Sequence, residues 1–388
     1  MILKTAWKTR VRQALRLVGL LAIPFLAGCC VTLPRQKLGV RPDAMPDYHQ
    51  VVFSPDGRSV AAINAPARMV LVFDTTNTME TARFQPATLQ CAGPRFSFSS
   101  TRRLGPEAVA FTPDQRLIAA FWLPHQQIGI WDVTRAECII QLPYRAGSIA
   151  LALSPDGSRA AYEAVAGQVA VQGLSDTNTT VFCPLDGQRP EFLTISPDNR
   201  WLAAIDRGGA AWIWDLRTGL LWRKIPRPPT GPITSLAFSG DSTMVARSEK
   251  NLQIWRLDPW EQLHFFESPR LTGGTRVVGS TLNFLSSGKD ADSSPPAALY
   301  NVPPTGRAVF SPDNRCVAVI NCAFTLNYME DKPDMGVRVY SLETGQLLSD
   351  FAWPDLINDL AFSPDGTRIA TGGTGVEVWD WRNGAAAH

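Results

Sequence analysis

The side chains best suited to nucleophilic, acid–base or metal chemistry in this 388-residue chain are its four histidines and seven cysteines. His49, His125, His264 and His388 are scattered, so a multi-histidine metal centre is not expected. A hydrolase needs a nucleophile, a base and an orienting group within hydrogen-bond reach. The chain has no Gly-x-Ser-x-Gly elbow, His-Glu-x-x-His pair or Gly-rich phosphate loop to announce such a set. Cys316 and Cys322 read as members of one strand, about 20 Å apart at ~3.3 Å per residue, too far to bridge each other. Cys91, Cys138 and Cys183 fall near the ends of successive segments. No disulfide framework is expected from them, although an oxidising compartment would permit one. The cysteine whose surroundings point to chemistry is Cys29, which closes an apolar run near the N-terminus.

That run sits inside a targeting segment. Residues 1–28 carry Lys4, Lys8, Arg10, Arg12 and Arg16 and no acid, and Leu17–Gly28 is apolar. Twelve helical residues cover about 18 Å, short of the ~30 Å hydrocarbon core, and Pro24 would kink such a helix. Residues 1–28 therefore read as a cleaved secretory signal peptide. Leu26-Ala27-Gly28-Cys29 resembles the bacterial lipobox, which implies cleavage before Cys29, diacylation of its thiol and usually acylation of the new amino group. Several acyl chains, at ~0.8 kcal/mol per buried methylene, make a stable anchor. Cys30 stands where an aspartate would resemble an inner-membrane retention signal, so the resemblance favours the periplasmic side of the outer membrane.

With the signal peptide removed, 32 basic residues face 35 acidic ones, a balance that argues against a nucleic-acid-binding domain. A hydrophobic fraction of 45% with 19% charged residues fits a globular chain with a sizeable core. The 30 prolines, 29 glycines and 12 tryptophans fit many turns and aromatic-anchored strands.

The elements that must position any site are set by a recurring phrase. It reads Phe53-Ser54-Pro55-Asp56-Gly57, Phe111-Thr112-Pro113-Asp114, Leu153-Ser154-Pro155-Asp156-Gly157 and Ile195-Ser196-Pro197-Asp198-Asn199. It returns as Phe238-Ser239-Gly240-Asp241, Phe310-Ser311-Pro312-Asp313-Asn314 and Phe362-Ser363-Pro364-Asp365-Gly366. This is hairpin-turn chemistry: proline sets φ, Asp56, Asp114, Asp156, Asp198, Asp241, Asp313 and Asp365 bond their own backbone, and glycine or asparagine tolerates positive φ. An alternating strand follows each turn, as in Arg368-Ile369-Ala370-Thr371, and a second strand ends in an aromatic, as in Ile130-Trp131-Asp132 and Ile213-Trp214-Asp215. Successive turns are 58, 42, 42, 43, 72 and 52 residues apart.

Three of those intervals match four-stranded propeller blades, and across residues 48–384 the chain resembles the WD-repeat family. Seven phrases imply an all-β, seven-bladed propeller of four-stranded antiparallel blades over residues 36–384, with residues 29–35 as a lipidated tether. The family's Gly-His dipeptide is absent, so its side-chain network to the turn aspartate and the tryptophan has to be replaced by aromatic packing. The last repeat ends after a third strand, Val376-Glu377-Val378-Trp379. Residues 36–47, with Leu38-Gly39-Val40 as the best apolar stretch, are expected to supply the missing outer strand.

Residues 87–106, 268–306 and 323–335 depart from the period, and propeller topology sends all three to one face. Ser287 and Lys289 lie in a polar loop tip, whereas Phe324, Tyr328, Met329, Glu330 and Asp331 have the character of a contact loop. Arg102, Arg103, His125, Asp206, Arg207, Glu249 and Lys250 are expected near the same face, with mixed signs. First strands such as Ala108-Val109-Ala110 and Ile149-Ala150-Leu151 are apolar. Asp359 is the exception, read as a polar residue at a loop end rather than a catalytic one. The expected function is a non-enzymatic, membrane-anchored scaffold of the bacterial envelope, monomeric by itself, binding protein through the loop-rich face and needing no cofactor or metal. The competing expectation is a lactonase-like or quinoprotein-like propeller working at the central channel, which requires polar side chains to converge on the first strands.

Overall fold

Every recurring phrase folds into one and the same turn. The Ser or Thr hydroxyl donates to its Asp Oδ1 at 2.5–2.6 Å in all seven cases. That hydroxyl in turn accepts a backbone N–H from the start of the next strand at 2.8–3.0 Å. The residue after each aspartate is left-handed, in the fifth turn too, where Gly240 replaces proline: Gly57, Gln115, Gly157, Asn199, Ser242, Asn314 and Gly366. The Ser54 and Thr112 hydroxyls hold Asp56 and Asp114 below the usual carboxylate range. At Asp156, Asp241, Asp313 and Asp365 partial burial acts upward, and the hydroxyl and N–H bonds outweigh it, so these carboxyls too are lowered.

The computed structural model describes residues 35–38, 47–77, 79–85, 105–123, 127–144, 148, 150–165, 167–176, 179–229, 232–248, 251–266, 305–323, 334–353 and 357–382. The first strand is β1(Arg35–Leu38). Blade 1 follows as β2(Tyr48–Phe53), β3(Ser59–Asn64), β4(Met69–Asp74) and β5(Glu80–Phe84), and blade 2 as β6(Gly105–Phe111), β7(Leu117–Leu123), β8(Gln127–Asp132) and β9(Glu137–Pro143). Blade 3 is β10(Leu151–Leu153), β11(Arg159–Val165), β12(Gln168–Gly173) and β13(Thr180–Pro184); blade 4 is β14(Pro190–Ile195), β15(Trp201–Asp206), β16(Ala211–Asp215) and β17(Leu220–Ile225). Blade 5 is β18(Ser235–Phe238), β19(Met244–Ser248), β20(Leu252–Arg256) and β21(Glu261–Phe266); blade 6 is β22(Thr305–Phe310), β23(Cys316–Ala323), β24(Asp334–Ser341) and β25(Leu347–Trp353). Blade 7 uses β26(Ile357–Phe362), β27(Arg368–Gly373) and β28(Val376–Asp380), and β1 completes it.

Each blade is a four-stranded antiparallel sheet, and the first strands neighbour one another around a closed ring. The architecture is a seven-bladed, all-β propeller. The ring closes through β1, antiparallel to β28 with Arg35 opposite Trp379 and Leu38 opposite Val376. The closing strand is thus Arg35–Leu38, while Gly39–Pro46 lie outside the described residues.

Second strands are buried on both sides rather than alternating. β7 and β15 are buried at every position, and so are Ile369–Gly373. Their facing neighbours are other blades, not solvent, which removes the polar half of the pattern. Alanines at 61, 62, 119, 120, 160, 161, 203, 204, 246, 318 and 370 are fully buried at the middle of these strands. Small side chains there let neighbouring blades approach closely. Seven apolar clusters fill the inter-blade spaces. The cluster between blades 3 and 4 contains the stacked Trp212 and Trp214, and the one between blades 6 and 7 sets Phe351 against Trp379. Aromatic packing of this kind takes the place of the missing histidine network.

Candidate functional site: a polar rim on the first strands

Propeller topology places the start of every first strand at the end of the ring opposite the Ser-x-Asp turns. At this end five first strands slip register against their partners. In blade 1, Tyr48 faces Asn64 and Val51 faces Ala62, so His49 and Gln50 oppose one residue. Equivalent slips set Glu107 in blade 2, Glu191 in blade 4, Arg307 in blade 6 and Asn358 in blade 7 at the irregularity. A bulge inserts a residue, re-aims its side chain and leaves a backbone group without its ladder partner.

The freed groups are taken up by the next blade. Val51 N–H donates to Asp359 Oδ2 at 2.9 Å, and Val109 N–H donates to Gln50 Oε1 at 3.0 Å. Gln50 Nε2 donates back to the Val109 carbonyl at 3.3 Å. Val51 and Val109 hold the same place in their strands, two before the turn phenylalanine. Asp359 and Gln50 likewise both stand three before it. In blade 6 that place is Arg307, whose Nη1 lies 2.9 Å from Asp359 Oδ1. One polar chain thus runs through blades 6, 7, 1 and 2 and straddles the point where the ring closes.

Asp359 is buried, 1% exposed at the side chain, whereas Arg307 is 35% exposed. Burial pushes the Asp359 carboxyl up, against the opposing pull of Arg307 and the Val51 and Leu360 N–H groups. Beside it Asn358 Nδ2 donates to Asp47 Oδ1 at 2.6 Å and to the Tyr48 carbonyl at 3.2 Å, and Asp47 pairs with His49 at 3.2 Å. Trp122 Nε1 donates to Glu107 Oε2 at 3.0 Å.

The His49 hydrogen bond holds Asp47 below the usual carboxylate range, and the Asp47 hydrogen bond raises His49, helped by the fields of Asp47, Glu107 and Asp359. A lowered carboxyl contributes stability that is present above its unfolded value, about 3.9, and lost as pH falls through the native one. A raised imidazole contributes stability that is complete below about 6.5 and lost as pH rises through its native value. The pair therefore contributes most between roughly pH 4 and 6.5. His49 is half-exposed, so the contribution is below ~1 kcal/mol. Urea midpoints of the wild type and of His49→Ala, measured across that range, should differ most near pH 6 and converge as pH rises past it. A constant difference would sink the assignment.

The expected site residues divide cleanly. All seven turn aspartates sit in the turns, bonded to their own turn and acting structurally. Leu26, Ala27, Gly28 and Cys29, with Ser287, Lys289, Phe324, Tyr328, Met329, Glu330 and Asp331, lie outside the described residues. The strand ends Ala323 and Asp334 that flank the last group lie at the rim end of the ring. Asp206 is not a surface residue of that face. It is buried, accepts from Trp212 Nε1 at 2.8 Å and Ala210 N–H at 3.0 Å, and anchors the Trp212 indole.

One expectation needs correction. The first strands are less uniformly apolar than expected: Gln50, Glu107 and Arg307 join Asp359. Their signature was present, since the place three before the turn residue is Ala108, Ala150, Phe192 and Ser235 in blades 2 to 5 but Arg307, Asp359 and Gln50 in blades 6, 7 and 1. Cys138 is disulfide-bonded, a pairing the sequence left open. Cys316 and Cys322 do share β23, and Cys316 and Cys183 are free. Burial pushes the Cys183 thiol up to about 12, which makes it inert.

Among the described residues no group of three or more His, Cys, Asp or Glu side chains is placed to hold a metal ion. Residues 345–380 match the family described as WD domain, G-beta repeat. The matched repeat covers β25 together with β26, β27 and β28, the outer strand of one blade and the three inner strands of the next. That phasing is what leaves blade 7 to be completed by β1. No curated protein matches the chain significantly. The chain is therefore a seven-bladed propeller carrying a WD repeat.

Proposed function

We propose that the chain is a non-enzymatic protein-interaction scaffold, lipid-anchored at Cys29 in the bacterial cell envelope on the periplasmic side of the outer membrane. WD-repeat propellers generally mediate protein–protein interactions, and the match at residues 345–380 brings this chain under that generalisation. The observation that carries the choice over a channel enzyme concerns the rim. Polar side chains converge there, as a channel enzyme would require, yet Asp359, Gln50 and Asn358 are engaged with neighbouring backbone, and Arg307 with Asp359. Side chains committed to closing the ring are not free to take a proton or attack a substrate. Partners would engage the rim face through residues 324–331 and the tip around Ser287 and Lys289. Arg35 follows Cys29 by six positions, a reach of at most about 20 Å, which would hold the edge of blade 7 near the bilayer.

Photo-reactive residues at Tyr328 and Ser287 in native membranes test the reading, with exposed Arg58 and Pro364 at the turn end as controls. A discrete protein captured from the first pair alone supports it. Capture from neither pair overturns it and sends the search to small ligands. Cys29→Ala should move the protein from the membrane to the soluble fraction, and persistent membrane association through washing would overturn the anchor.

A further inference from the structure

β17 is the outer strand of its sheet, so alternate N–H and C=O groups along one side of it have no ladder partner within the blade. Its residues Leu220 to Lys224 are all exposed, Leu220 at 69%, Leu221 at 41% and Trp222 at 42%. Proteins protect such edges with charges, and in three other blades the outer strand carries an acid paired with a base: Glu80 with Arg83 on β5, Glu261 on β21 with Arg256 on β20, and Asp350 on β25 with Arg338 on β24. β17 carries no acid.

The apolar surface continues onto blade 3. Gly219 enters β17 at φ 72°, and a Cβ there would lie 3.4 Å from both the Phe182 carbonyl and Val181 Cγ1. This close approach sets the Val181 side chain, half-buried, beside the start of β17. The charge is one-sided. Residues 216–229 contain Arg217, Arg223, Lys224 and Arg227 and no acid. Arg217 is paired with Asp215. Arg223 lies over the Trp260 ring at 4.9 Å and Lys224 over the Trp212 ring at 3.7 Å, and among the described residues neither makes an ion pair. Those ring contacts hold two positive charges along an apolar edge.

We propose that β17 takes an extended segment of a protein partner as a fifth strand, one that carries apolar and acidic side chains on both of its faces. Main-chain bonds to the open edge supply affinity. The apolar positions cover Trp222, Leu220 and Leu221, and acidic ones on the two faces meet Arg223 and Lys224. A second copy of this chain fits worse, because antiparallel pairing of β17 with itself brings like charges together. The proposal rests on the scaffold reading and names a surface and a partner chemistry for it.

The test uses the full chain and three short peptides: one of paired valines and paired glutamates, its valine–lysine counterpart, and the glutamate peptide N-methylated at alternate amides. Fluorescence anisotropy should show binding of the first and at least ~10-fold weaker binding of the other two. Trp222→Ala should weaken the first by at least ~10-fold with circular dichroism unchanged. The double variant Arg223→Glu, Lys224→Glu should reverse the preference towards lysine. No binding by folded protein, equal binding of both charges, or indifference to N-methylation overturns the proposal. Self-association abolished by Trp222→Ala would assign the edge to a second copy, and preferential binding of vesicles containing phosphatidylglycerol would assign it to a membrane; both overturn it. A partner still crosslinked from Tyr328 while no peptide binds would sink the edge and leave the scaffold standing. Peptide binding with no partner captured anywhere would do the reverse.

Discussion

A chain beginning at Asp47 should melt about 5–10 °C below one beginning at Thr32, and should self-associate where the longer one does not. The shorter chain lacks β1, and with it the four residue pairs from Arg35–Trp379 to Leu38–Val376. Hydrogen bonds of this kind contribute ~0.5–1.5 kcal/mol each, so the loss is roughly 2–4 kcal/mol. It falls where the ring has no covalent continuity, between the last blade and the first. It also uncovers the edge of β28, whose Val376, Val378 and Trp379 are buried in the intact ring. An open edge flanked by apolar residues templates pairing with other chains. Calorimetry and sedimentation velocity on the two chains measure both effects. A peptide covering Thr32–Asp47, added in trans, should restore part of the melting temperature. Equal melting of the two chains would mean that β1 is dispensable to closure.

The turns were legible in the sequence because their chemistry is local. Ser54, Asp56 and Gly57 fold one another, and the same group recurs seven times. Gln115 and Ser242 show how far that reading reaches: both are left-handed although neither is a residue that favours it, because the hydroxyl–aspartate clamp holds the turn regardless. The closing strand was legible only as a necessity. Arg35-Gln36-Lys37-Leu38 has little apolar pattern to mark it, so apolarity pointed instead to Leu38-Gly39-Val40. The rim was hidden for a different reason. A bulge exists only relative to a partner strand, so Gln50 and Arg307 reveal their roles only once register is known. Asp206 lies at the expected end of the ring, opposite Pro190 at the start of β14, but its burial was not legible, because its bond to Trp212 crosses between strands β15 and β16.

Asp359→Ala is expected to cost about 2–4 kcal/mol of unfolding free energy, a larger loss than any single turn substitution. Asp359 serves two blades at once. Its Oδ2 receives the Val51 N–H that the blade 1 bulge has released from the ladder, and its Oδ1 faces Arg307 of blade 6. Alanine leaves the N–H of Val51, itself 2% exposed, without an acceptor in a site water does not reach. Arg307 is a third exposed and can be hydrated, which keeps the loss below that of a fully buried pair. Asp359→Asn separates the two duties, since an amide oxygen can still accept from Val51 but offers no charge to Arg307. Its cost should be about half that of alanine. Gln50→Ala should behave as a milder counterpart in the next blade, where Val109 loses its acceptor but no ion pair is broken. Chemical denaturation of the three variants checks the order alanine at 359, asparagine at 359, alanine at 50. An Asp359→Ala protein as stable as the wild type would show that the ring does not depend on this chain. It would also free Asp359 to be read as a channel carboxylate, and so revive the enzymatic alternative.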